Sequence, residues 1–199
     1  MDAMSAKVQL YILAVAMLLW TIPFVVLLSI WHDPLTQSMS GIGWRNGGMV
    51  LLVCYVVFSG IGMMYSAILF QKLLGKKSRR LMALMTLGCL LVVTGVFIPV
   101  RAHELGGINT FFHDRITQVG SAICVLAGLL MMSMLVRECR CHYKKMFMII
   151  VAVAVLMTLG LVFLGFAAAA QVLASHLVLT AILAMCFVVR NRRQDCSLI

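Results

Sequence analysis

The chain has 199 residues, of which 63% are hydrophobic and 11% charged, and its formal net charge is +10. Soluble domains carry about 25% charged residues, more than twice the fraction in this chain. Together with a mean hydropathy of +1.08, this low charge excludes a water-soluble protein and predicts a chain that resides in a lipid bilayer. The positive charge does not indicate nucleic-acid binding, because the cations stand in short clusters at the ends of apolar runs and form no basic stripe interleaved with aromatic residues.

Six apolar runs predict an all-α bundle of six transmembrane helices, which forms a single domain over residues 1–199. Each run has roughly the 20 residues that a helix needs to cross the hydrocarbon core. A short, uncharged turn joins the last two runs and predicts a tight hairpin there. The predicted spans are residues 8–31, 49–70, 81–100, 114–136, 146–166 and 170–189.

The distribution of Lys and Arg predicts how the bundle is oriented. Thirteen of the sixteen cations lie at Lys7, in the loops 71–80 and 137–145, and in the tail 190–199. By the positive-inside rule, both termini are therefore cytoplasmic, and the stretch 99–121 faces outward. No Asn-x-Ser/Thr sequence occurs in the outward segments, which favours a bacterial inner membrane. The three remaining cations are Arg45, Arg101 and Arg115.

The outward stretch 99–121 concentrates ionisable residues between long apolar runs. It holds two histidines that each precede an acid, His103–Glu104 and His113–Asp114. Polar groups inside a span face the bundle interior, because lipid cannot satisfy them, so helices three, four and six are predicted to form an outward-facing polar pocket. Its histidines are His103, His113 and His176. The predicted ligand-binding residues are Arg45, Arg101, Arg115, Gln118, Ser121 and His176.

Three functions are compatible with such a pocket. Arginine forks suit phosphate or carboxylate groups, which predicts a non-enzymatic protein that binds a membrane lipid or small amphiphile. A His–carboxylate pair could instead activate water or a hydroxyl on a lipid-linked substrate, and the catalytic candidates are then His113, Asp114, His103 and Glu104. The third hypothesis is a small transporter or a redox subunit that carries haem or quinone.

Other features narrow these hypotheses only in part. The absence of HxxxH and HExxH patterns predicts no metal site, and we predict no bound cofactor.

Four cysteines inside apolar runs are predicted to pack in the core, and none of the seven lies in an outward loop. Cys196 begins a sequence that loosely fits the prenylation pattern. The sequence leaves open whether the protein is an enzyme and whether it forms a homo-oligomer.

One stretch resembles a known family. The segment Gly95-Val-Phe-Ile-Pro99, followed by His103 and by Phe111-Phe112-His113-Asp114, is similar to the DRAM/Sfk-like membrane proteins and their uncharacterised bacterial relatives. This resemblance implies six helices, a polar segment between helices three and four, and a role in lipid or membrane homeostasis.

Overall fold

The regular structure of this chain is α-helical. The computed structural model describes residues 8–9, 11–17, 19–20, 48–98, 108–138, 147–148, 151–152, 155, 180–187 and 189, and all of its regular elements are helices. The long ones are α1 (Met49–Leu74), α2 (Arg79–Val96) and α3 (Ile108–Glu138). The all-α prediction is confirmed for this part of the chain. Much of the first, fifth and sixth predicted spans lies outside the described residues, so the number of six spans stays a prediction.

All three long helices are long and apolar enough to cross a membrane. They contain 26, 18 and 31 residues. At about 1.5 Å per residue, even the shortest reaches about 27 Å, close to the roughly 30 Å hydrocarbon core. In the most apolar stretch of each helix, at most 33% of the residues are buried, so most of these residues are not covered by the rest of the described structure. The helices are consistent with a multi-pass membrane protein.

The helix boundaries differ from the predicted spans at the end that is predicted to face outward. α2 ends at Val96, four residues before the predicted end at residue 100. The following Pro99 disfavours the helical conformation at Ile98, which explains the early end. α3 begins at Ile108, six residues before the predicted start at 114. His113 therefore belongs to a helix and not to the loop before it, whereas Asp114 and Arg115 lie in the helix as predicted.

The two helices α2 and α3 pack against each other in antiparallel orientation over most of the length of α2. They approach most closely where Gly88 meets Gly120. A Cβ at Gly88 would stand 3.0 Å from the Gly120 carbonyl oxygen and 3.0 Å from the backbone nitrogen of Cys124. Gly120 therefore allows close packing of the two helices. Gly128 has no described atom within 4 Å of its hypothetical Cβ, so it makes no such contact in this part of the chain.

The core continues from these helices to both ends of the sequence. Phe70, Leu81 and Met131 pack in one buried cluster with Ile182 and Met185. The rings of Tyr11 and Phe187 meet edge to face at 5.6 Å, and the Cys186 thiol donates to the Ser66 carbonyl oxygen at 3.6 Å. Of the cysteines predicted to pack in the core, Cys124 and Cys186 are buried, Cys89 is half-buried and Cys54 is exposed.

Candidate functional site

Among the His, Asp, Glu, Lys and Arg side chains whose burial the structure describes, the most completely buried lies near the start of α3. His113 is only 5% exposed, and its Nδ1 donates to the Gly95 carbonyl oxygen in the last turn of α2, at 2.7 Å. A carbonyl oxygen can only accept, so Nδ1 carries the proton. In the neutral ring, Nε2 is then the nitrogen with a free lone pair. We call His113, Thr117 and Gly95 the polar junction.

The polar junction depends on the missing side chain of Gly95. The Thr117 methyl group occupies the space that a Cβ at Gly95 would need. His113 and Thr117 are four residues apart, so they lie on one face of α3 and both reach α2. The Thr117 hydroxyl donates to the His113 carbonyl oxygen at 2.8 Å, so this hydroxyl is satisfied within its own helix. The close approach of the two backbones therefore brings the imidazole within reach of the carbonyl.

The neighbours of His113 on α3 point away from the polar junction. Asp114 and Arg115 are exposed, and the Arg115 guanidinium lies over the Phe111 ring at 5.2 Å from its centroid. This cation–π contact fixes the arginine on the outside of the helix. In the part of the chain that the structure describes, His113 makes no hydrogen bond to Asp114, and no ion pair joins Asp114 to Arg115. The imidazole N–H therefore donates its hydrogen bond to the backbone and not to the adjacent carboxylate.

A second polar face runs along α3 beside the junction. Asp114, Gln118 and Ser121 follow one another at intervals of four and three residues, so the continuous helix places them on one stripe. Gln118 is half-buried, whereas Asp114 and Ser121 are exposed. Together they offer a carboxylate, an amide and a hydroxyl. An apolar crevice lies at the same end of α1 and α2, and its lining residues are Val53, Val56, Val57, Val93, Val96 and Phe97.

Half of the predicted pocket lies outside the described residues. This holds for Arg45, Arg101, His103, Glu104 and His176, so their roles stay predictions. Within the described ranges, no group of three His, Cys, Asp or Glu side chains could hold a metal ion.

Sequence reasoning did not predict that His113 would meet Gly95 and Thr117 at the helix interface. Both carried a signal. Gly95 is a small residue one turn before Pro99, and Thr117 follows His113 at helical spacing.

Comparisons of the chain with family models, with curated proteins and with solved structures find no match. Its function is therefore argued from its own residues.

Proposed function

We propose that this chain is a six-span bacterial inner-membrane protein that binds a lipid or small amphiphile in a polar pocket at its outward end. The observation that carries the proposal is the buried His113, which is bonded across the α2–α3 interface at 2.7 Å. Ionisable side chains are expensive inside a membrane and mark functional sites there. The resemblance to DRAM/Sfk-like proteins suggests a role in membrane or lipid homeostasis.

The proposed orientation is supported by charge and by packing. The turn between α1 and α2 belongs to the cation-rich side of the chain, and a cation-rich side faces the cytoplasm in most membrane proteins. The contact between Tyr11 and Phe187 brings the two ends of the sequence near each other in the bundle. Both termini would then share the cytoplasmic side with this turn, as an even number of spans requires.

The proposed pocket recognises a headgroup through complementary polar groups. On the α2 side of α3, His113 Nε2 can accept a hydrogen bond. On the outer side of the same helix, the Arg115 guanidinium presents a forked set of donors to a phosphate or carboxylate. Gln118 and Ser121 lie one and two turns deeper along the same helix. Arg45, Arg101 and His176 complete the pocket in this proposal.

Native mass spectrometry of the full chain, extracted in a mild detergent that retains lipid, tests this proposal. We expect the unmodified protein to carry an anionic or zwitterionic amphiphile. Arg115→Gln should weaken its retention about tenfold, because a hydrogen bond to a charged group contributes about 1.5–3 kcal/mol. His113→Gln should also weaken it. Ser133→Ala is the matched control, because Ser133 lies on the same helix and its hydroxyl donates to the Leu130 carbonyl oxygen. Equal retention in all four proteins would refute the proposal.

A further inference from the structure

The turn between α1 and α2 carries a dense cluster of positive charge. Between residues 72 and 80 there are five cations and no acid. All five side chains are exposed, at the end of the bundle opposite the polar junction. We call them the basic turn: Lys72, Lys76, Lys77, Arg79 and Arg80.

The backbone of the basic turn is held in one conformation. Gly75 adopts the left-handed region with φ 74°, which lets its N–H donate to the carbonyl oxygens of Gln71 and Lys72. Gln71 is buried, and its side-chain oxygen accepts from the backbone N–H of Ser78. The Ser78 hydroxyl in turn accepts from the N–H of Leu81 at 3.2 Å and caps α2. These bonds fix the spacing of the cations before any ligand arrives.

Such a fixed cluster is electrostatically unfavourable by itself. Arg79 and Arg80 occupy the first turn of α2, where the positive end of the helix dipole disfavours cations. No acidic residue stands in this first turn. The basic turn is therefore a region of positive potential, which a bound anion would stabilise.

We infer that the basic turn binds the phosphate headgroups of anionic phospholipids in the adjacent leaflet. Three features point to lipid. The cations flank two membrane-crossing helices directly, so they stand at headgroup level. Four to eight such cations beside a span are enough to attract anionic lipid. Two of them are arginines, whose forked donors match the oxygens of a phosphodiester. This site is independent of the pocket at the outward end.

The test compares phosphatidylglycerol with phosphatidylcholine. The purified full chain is titrated with each lipid in detergent, and the bound lipid is counted by native mass spectrometry. We expect a preference for phosphatidylglycerol in the unmodified protein. The variant Lys76→Gln, Lys77→Gln, Arg79→Gln, Arg80→Gln should lose about tenfold or more of its affinity for phosphatidylglycerol and keep its affinity for phosphatidylcholine.

Two controls make the result decisive. The matched variant Lys76→Arg, Lys77→Arg, Arg79→Lys, Arg80→Lys keeps every charge and should retain the preference. If the charge-removing variant fails to fold, sodium chloride provides the second measurement, because screening should reduce phosphatidylglycerol binding to the unmodified protein and leave phosphatidylcholine unaffected. Displacement of the lipid by inorganic phosphate would identify a site for free anions and overturn the inference. Equal binding of both lipids would overturn it as well.

Discussion

At the scale of single residues, three polar side chains are buried in the described structure, and they are satisfied in different ways. Ser66 donates to the Gly62 carbonyl oxygen, and Gln71 donates to that of Ala67, each four residues back in its own helix. His113 instead donates to a carbonyl on another helix. A bond within one helix satisfies a polar group locally, whereas the bond of His113 joins two elements. Gln71 also accepts from the Ser78 N–H in the adjoining turn, so His113 differs in that its bond joins two helices far apart in the sequence.

Replacing His113 with leucine tests the strength of this link between helices. His113→Leu introduces an apolar side chain of similar size and removes the hydrogen-bond donor. The Gly95 carbonyl oxygen still accepts from the Ile98 N–H at 3.0 Å. No acceptor is left unsatisfied, so we expect a loss of only about 1 kcal/mol in the free energy of unfolding. Reversible unfolding in mixed detergent micelles measures it.

The neighbouring Asp114 supplies the control for this measurement. Asp114→Asn changes an exposed side chain in the same turn and should shift stability by less than about 0.5 kcal/mol. An equal effect of both substitutions would show that the hydrogen bond to Gly95 does not stabilise the bundle.

At the scale of elements, the α2–α3 pair is organised by backbone contact and not by large side chains. A Cβ at Gly88 would meet backbone atoms of α3, which cannot rotate away as a flexible side chain can. In lipid, where burial of apolar surface gives no net drive, such close packing is a main source of helix association. The glycine positions therefore set the distance at which His113 reaches Gly95.

A pair of glycine substitutions separates packing from helix propensity. Gly88→Ala should destabilise the fold by about 1–3 kcal/mol, because the added methyl group overpacks the interface. Gly128→Ala has open space around it in the described structure and should be neutral or stabilising by up to about 1 kcal/mol, since alanine favours helix. The same unfolding assay measures both. A destabilising Gly128→Ala, or a neutral Gly88→Ala, would contradict the observed register.

These elements also show what the sequence could and could not predict. The positions of α1, α2 and α3 followed from apolar length, because a bilayer requires it. Their ends did not, since the stretch from Asn109 to His113 looks like a loop by polarity yet extends α3 by more than a turn. Gly120 and Gly128 were equivalent as sequence, but only one faces α2. Which side of a helix meets its neighbour depends on rotation about its axis, and apolar residues all round the helix do not specify it.

At the scale of the whole molecule, the two ends of the three-helix unit differ in chemistry. One end holds the polar junction, with a single buried imidazole and an exposed carboxylate and guanidinium on the next residues of α3. The other end holds the basic turn, with five exposed cations and a buried amide that braces the backbone. The length of α2 separates them, so in a bilayer the two ends would contact opposite leaflets. The pocket proposal requires the polar junction to lie on the outward side.

Reporter fusions test this orientation directly. Truncation after Lys77 places the reporter after two proposed spans, within the basic turn. The cations of this turn should keep it on the cytoplasmic side. A fluorescent protein that matures only in the cytoplasm should therefore be bright at this position, and alkaline phosphatase should be inactive. Truncation after Ile98 adds α2 and should reverse both signals. The opposite pattern would place His113 on the cytoplasmic side, and an outward pocket could then no longer form around it.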